Sequence, residues 1–224
     1  MSAAATTDEI YGFIAQHRIS SLVLVAHNEG LFELTKRPSS ALEISERLNW
    51  VPRKCEVLLN ALCSIGVLIR TAEGKLFENS QAANDVLCKE GASYIGTFAE
   101  LQFRQWNAWI KAGEVLKSSV DLPHQQNLVE GDDGYIELFQ EAMAQSCADN
   151  LAYILALGVW PDTSRVLDLG GGHSSHACAL ARAYSHLEID VWDLPSVAEV
   201  AKAQFRNLPQ DTRINFQGCI LPHD

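Results

Sequence analysis

The sequence is poor in positive charge: 17 Lys and Arg stand against 28 Asp and Glu over 224 residues, a formal net charge of −11. Attraction to nucleic acid or to an anionic membrane surface needs the opposite balance, so both are excluded as expected partners. A small molecule or another protein is expected instead. No apolar run approaches the length that spans a bilayer, and the opening Met-Ser-Ala-Ala-Ala-Thr-Thr-Asp-Glu lacks the basic and apolar regions of a signal peptide. A cytoplasmic protein is the expectation. The six cysteines form no Cys-x-x-Cys pair and have no His at finger spacing, which argues against a zinc site or any other metal. Buried free thiols in a reducing compartment are expected. Apolar residues make up 47% of the chain, enough for the core of one large or two small domains.

Asp8 or Thr7 is positioned to cap a first helix carrying Ile10, Phe13, Ile14, Leu22 and Val25 as far as about His27. It is apolar on several faces, so it needs cover, either from the chain's own core or across a dimer seam. A short helix follows from Gly30 to Pro38. Ser40 or Ser39 caps the next, from Ala41 to Leu48, and Pro52 opens another that ends at Gly66. Val67 to Arg70 and Leu76 to Glu78 then read as a hairpin turning at Gly74. Helix, turn, helix and hairpin make a winged-helix arrangement. Its second helix is nearly all apolar or small after Arg53 and Lys54, and Glu73 and Glu78 dilute the cations of the wing, so a scaffold use is favoured over DNA reading. A longer helical stretch from Ala92 to about Leu116 carries Trp106 and Trp109 on one face, either as core or as the wall of an aromatic or apolar substrate pocket.

The polar, breaker-rich run from Ser118 to Gly134 is the expected join between domains. Helix resumes from Tyr135 to about Leu157. Val166 to Leu169 then forms a short apolar run that meets three consecutive glycines, Gly170 to Gly172. That pattern predicts a buried strand entering a tight turn, where only glycine lets backbone approach a ligand. A helix from His176 to Tyr184 and a second strand ending in Asp193 complete half of a nucleotide-binding βαβ unit, in which the terminal acid accepts hydrogen bonds from ribose hydroxyls. A nicotinamide fingerprint would place glycine at the third position after Gly172, where Ser175 stands. Asp168 also favours a different cofactor. A carboxylate at the strand's end repels a pyrophosphate and attracts the cationic methionine end of S-adenosylmethionine, unless Asp168 merely caps the turn.

Val166-Leu-Asp-Leu-Gly-Gly-Gly172 and Trp192-Asp-Leu-Pro-Ser-Val197, preceded by Phe139-Gln-Glu-Ala-Met143 and Leu31-Phe-Glu-Leu34, resemble the two-domain S-adenosylmethionine-dependent O-methyltransferases. This family includes plant caffeate and flavonoid enzymes, acetylserotonin methyltransferase and bacterial enzymes of aromatic polyketides. The resemblance runs in order over nearly the whole chain. It implies an α/β protein with a mostly helical winged-helix dimerisation domain over residues 1–117 and an incomplete Rossmann-like class I methyltransferase domain over 118–224. It further implies a homodimer and a hydroxyl-bearing aromatic or polycyclic substrate. Asp168, Gly170 and Gly172 match the cofactor turn, Asp193 the ribose acid, and Met143 a pocket position; Trp106 joins Met143 as a substrate-pocket candidate.

The sequence departs from that family in three places. Its turn usually closes on Thr-Gly, where His173-Ser174 stands here; Ser174 adds a side chain where helix and ligand come close, and His173 is either a cofactor contact or a solvated turn residue. Relatives carry Gly-Asp after the third strand, and here Gly218 precedes Cys219, which lacks a carboxylate's acceptor oxygens. The sequence also ends at Asp224, after three strands of the second domain, so the family's catalytic His is expected to be missing and no catalytic residue is assigned. His223 lies a strand and a helix too early to be that base. A truncated or partner-completed chain with an open apolar edge at Val166 to Leu169 is expected, poorly soluble and without methyl transfer alone. The alternatives are a non-catalytic cofactor-binding or dimerising pseudoenzyme and a winged-helix regulator.

Overall fold

The computed structural model describes residues 4–71, 73–117, 134–205 and 213–220. Two compact units divide the chain, Met1–Lys111 and Ala112–Asp224. Positions 118–133 of the expected join lie outside the described residues.

In the first unit, α1 (Thr7–Asn28) starts one residue earlier than Thr7 or Asp8 capping would allow. Thr6 is its cap, because Thr6 and Glu9 satisfy each other's backbone N–H in a reciprocal capping box. Its amino-terminal half buries little: Tyr11, Phe13 and Ile14 are 75%, 64% and 68% exposed. Only Ala26, near the other end, is fully buried. The stretch expected as one helix up to Pro38 is helical only over α2 (Leu31–Leu34), whose Leu31 and Phe32 enter the core. Ser40 caps α3 (Ala41–Arg47), accepting the Glu43 N–H, and Pro52 opens α4 (Pro52–Ser64). On α4, Cys55, Leu59 and Leu62 recur on one face and are buried.

A small antiparallel sheet closes this unit. β1 (Ser39–Ser40) and β2 (Leu68–Arg70) both pair with β3 (Leu76–Asn79), followed by α5 (Gln81–Leu87). Arg70, a cation of the hairpin, lies over the Phe77 ring at 4.8 Å and donates to the Gly74 carbonyl at 2.6 Å. Its guanidinium is thereby engaged in holding the hairpin. Beneath the sheet, the Thr35 hydroxyl donates to Asn79 Oδ1 at 2.6 Å, and Asn79 Nδ2 donates to the Phe32 carbonyl and to Asn84 Oδ1. The aromatic stretch starts later than Ala92, as α6 (Gly96–Ile110), and is followed by a separate turn of helix, α7 (Ala112–Val115).

The second unit, which α7 opens, continues after the undescribed positions with α8 (Tyr135–Ser146) and α9 (Ala148–Leu155), two helices broken at Cys147 where one is expected. A 3-10 turn (Trp160–Asp162) leads into β4 (Arg165–Leu169), α10 (Ser175–Ala183), β5 (Glu188–Asp193), α11 (Pro195–Phe205) and β6 (Ile214–Gly218). The strands are parallel in the order β4, β5, β6, with Asp168 opposite Val191 and Val191 opposite Phe216. Ile189 and Val191 of the middle strand pack with Ala177, Leu180 and Leu187 in the core. Among the described residues β4 pairs with β5 alone, and Leu167 and Leu169 project into solvent. No helix among the described residues is long and apolar enough to cross a membrane.

Candidate functional site

The parallel register carries β4 and β5 to the same end of their sheet, so Asp168 and Asp193 flank the turn that leaves β4. Gly170 and Gly172 adopt positive φ, 70° and 46°, which bends the chain away from the sheet before α10. Gly171 serves a different need. A Cβ there would lie 2.6 Å from Val191 Cγ1 and 3.0 Å from the Asp168 carboxylate, so the absent side chain lets that carboxylate tuck beneath the turn.

Asp193 holds the turn from the other side. Its Oδ2 accepts the Gly172 N–H at 2.7 Å and its Oδ1 accepts the Leu194 N–H at 2.7 Å. Ser174 completes the turn at φ 60°, a left-handed conformation in a residue that is almost wholly buried, and its hydroxyl donates to the Gly172 carbonyl. The substitution for glycine therefore preserves the path of the turn at a conformational cost of about 1–2 kcal/mol.

A cavity of about 430 Å³ opens beside this turn, within the second unit. Asp168, Gly170, Gly172, Asp193 and Met143 all line it, so five of the six residues singled out from sequence converge there. Trp106 is elsewhere. It lines an apolar groove of about 680 Å³ in the first unit, formed by α1 and α6, where Trp109 is largely exposed. Tyr135 and Phe139 of α8, stacked with ring centroids 6.3 Å apart, also face the cavity beside the glycine turn.

Two histidines line this cavity as well. His173 is half-buried rather than solvated, its ring edge against Phe205 at 6.2 Å, and burial holds its imidazole below the ordinary value with Glu141 opposing. His176, in the first turn of α10, carried no site assignment from sequence. Its position at the start of a helix that leaves a glycine turn was the available signal, but which way the ring points depends on how α10 docks. Cys219 does not line the cavity; its N–H donates to the Asp193 carbonyl at 2.7 Å. His223 lies outside the described residues.

The electrostatics of the cavity are unbalanced. Burial pushes the Asp168 carboxyl above the usual aspartate range, with His176 opposing the rise and the Asp193 charge adding to it. Among the described residues, three buried side-chain polar atoms lack a hydrogen-bond partner: Gln140 Oε1, Asp168 Oδ2 and His176 Nε2. All three residues line this one cavity. A strand, a glycine turn with positive φ, a helix and a second strand ending in an acid define the class of nucleotide-binding α/β units.

Comparison with known proteins narrows that class. Residues 121–222 match the O-methyltransferase domain family. The chain is 28% identical over 190 residues to the tetracenomycin polyketide synthesis 8-O-methyl transferase TcmO of Streptomyces glaucescens, covering 83% of this chain and 56% of that protein. The solved structure of an O-methyltransferase family protein from Burkholderia thailandensis superposes with a TM-score of 0.86 at 27% identity, over 97% of this chain and 65% of the other. Human N-acetylserotonin methyltransferase, solved in complex with SAM, shares the fold with a TM-score of 0.76 at 19% identity, over 98% and 68% of the two chains. Within the second unit the chain is thus similar to O-methyltransferases, whose domain model its residues 121–222 match. It spans little more than half the length of the curated relative named above.

Proposed function

We propose that this chain provides the dimerising and cofactor-binding portion of an S-adenosylmethionine-dependent O-methyltransferase, with a hydroxyl of an aromatic or polycyclic small molecule as acceptor. The observation that carries the reading is the cavity at the glycine turn, where Asp168 and Asp193 stand on either side of backbone that only glycine leaves accessible. S-adenosylmethionine supplies an activated methyl group on a sulfonium centre. Asp168 offers its negative charge to the cationic methionine end, the unsubstituted Gly170 and Gly172 admit the ligand to the backbone, and Asp193 accepts ribose hydroxyls through lone pairs that its two backbone bonds leave free. The site fits the cofactor because its buried carboxylate has an oxygen without a partner. Similarity to a polyketide O-methyl transferase and the SAM-bound state of the human neighbour support both halves of the reading.

In the same proposal, residues 1–117 form a winged-helix dimerisation domain and 118–224 part of a Rossmann-like domain. The first helix supports the dimer, since Tyr11, Phe13 and Ile14 expose apolar surface that a second copy would cover. Met143 lines the acceptor side of the cavity, and Trp106 gives its groove an aromatic wall for the same class of acceptor. Calorimetric titration of the full chain with S-adenosylhomocysteine tests the core of the proposal. One saturable site is expected, weakened at least roughly tenfold by Asp193→Ala, since each lost bond to a charged group costs about 1.5–3 kcal/mol. Absence of binding, or indifference to that substitution, sinks it. Sedimentation tests the dimer, which Phe13→Glu with Ile14→Glu is expected to convert to monomer.

A further inference from the structure

Three unpartnered atoms on one cavity constitute a chemical specification. Gln140 Oε1 is an acceptor, held in place because its own Nε2 donates to the Val197 carbonyl at 3.0 Å. Asp168 Oδ2 is a second acceptor, and His176 Nε2 is a donor when it carries the ring proton. No other described residue shows a buried orphan of this kind, and the buried polar side chains of the first unit are matched. Leaving such atoms unmade is unfavourable unless something completes them. The missing partner must bring several donors to two acceptors and one acceptor to a donor. An α-amino-acid zwitterion has that pattern, with three ammonium hydrogens on one side and a carboxylate on the other.

We propose that Gln140 and Asp168 accept from the ammonium group, and His176 donates to the carboxylate, of the ligand's aminocarboxylate end. This assignment rests on the cofactor reading above and extends it to two residues, Gln140 and His176, beyond the glycine-turn motif. Gln140 lies on α8 and His176 on α10, so two helices flanking the turn share the task with β4. The arrangement makes the amino-acid end a determinant of recognition separate from Asp193, whose bonds lie at the other strand's end.

Three ligands distinguish the parts: S-adenosylhomocysteine, its decarboxylated analogue, which keeps the amine alone, and 5′-methylthioadenosine, which has neither group. Calorimetry on the full chain is expected to show His176→Leu weakening S-adenosylhomocysteine by roughly tenfold to a hundredfold, the range of one charge-assisted bond. The decarboxylated analogue and methylthioadenosine should be unaffected, and His176→Gln, which retains a donor, should recover part of the loss. Gln140→Leu should weaken both amine-bearing ligands and leave methylthioadenosine unchanged. Equal losses for all three ligands, or none, would overturn the assignment while leaving the cofactor site standing. If the unsubstituted chain binds methylthioadenosine but gains nothing from the amino-acid end, the assignment also fails. Failure of all three to bind the unsubstituted chain removes the cofactor reading itself, and the assignment with it.

Discussion

The two units treat buried polarity in opposite ways. Under the first unit's sheet, Thr35, Asn79, Asn84 and Cys88 close on one another and on the Phe32 carbonyl. Around the second unit's cavity, Gln140, Asp168 and His176 each keep one atom unmatched. The same physical rule explains both. A closed network fixes how α2, β3 and α5 meet and has no bond left to offer a ligand, whereas an open one is unfavourable until a ligand completes it. Completed polarity marks structure here, and incomplete polarity marks a site.

That contrast is sharpened most strongly by Asn79→Leu. It removes the Asn79 bonds to the Thr35 hydroxyl, the Phe32 carbonyl and Asn84 Oδ1 together, leaving them only their weaker contacts to Leu31 and Cys88, so a loss of about 3 kcal/mol in urea unfolding is expected, with ligand binding in the second unit unchanged. A loss much below 1 kcal/mol would break the contrast from the structural side. Gly171→Ala comes next. Its methyl group would press on Val191 and on the Asp168 carboxylate, at a cost of about 2 kcal/mol together with loss of S-adenosylhomocysteine binding.

Asp168→Asn should act in the opposite direction on stability. The Asp168 carboxyl has a folded-state pKa raised above its unfolded value, chiefly by burial. Its contribution to stability is therefore fully present below the unfolded pKa and lost as pH rises through the folded one. Asparagine removes that loss, so the variant should melt a few degrees higher than the parent at neutral pH, for a gain of about 1 kcal/mol. The gain should shrink on acidification, and binding should weaken. A lower melting temperature at neutral pH would show that the carboxylate is already satisfied. The smallest effect is expected of Ser174→Gly, which relieves the left-handed strain while losing one long hydrogen bond and adding unfolded-chain entropy; a net gain of about 0.5 kcal/mol in denaturant unfolding is expected.

The glycine turn was legible because everything that defines it is adjacent in the chain: an apolar strand, three glycines, a helix and a strand ending in Asp193. Ser40 and Pro52 likewise announced their helices through local capping chemistry. What escaped depended on distant partners. Ser39–Ser40 has no apolar alternation and is a strand only because Phe77 and Leu76 lie beside it. The break at Cys147 leaves the apolar spacing of Tyr135 to Leu155 nearly intact, so the spacing predicts one helix where two exist. His176 and Gln140 belong to helices whose facing residues are decided by packing on β4, β5 and α11. Trp106 and Met143 looked equivalent as pocket walls, yet they line different cavities in different units.

Asp193 carries a kinetic consequence. Both its oxygens already hold backbone N–H groups, one of them from Gly172, so the turn is set in shape before any ligand arrives. Capture should then follow encounter without a slow rearrangement of this loop, and observed association rates should rise linearly with ligand concentration instead of reaching a plateau. Nucleosides that differ in affinity should differ mainly in how fast they leave.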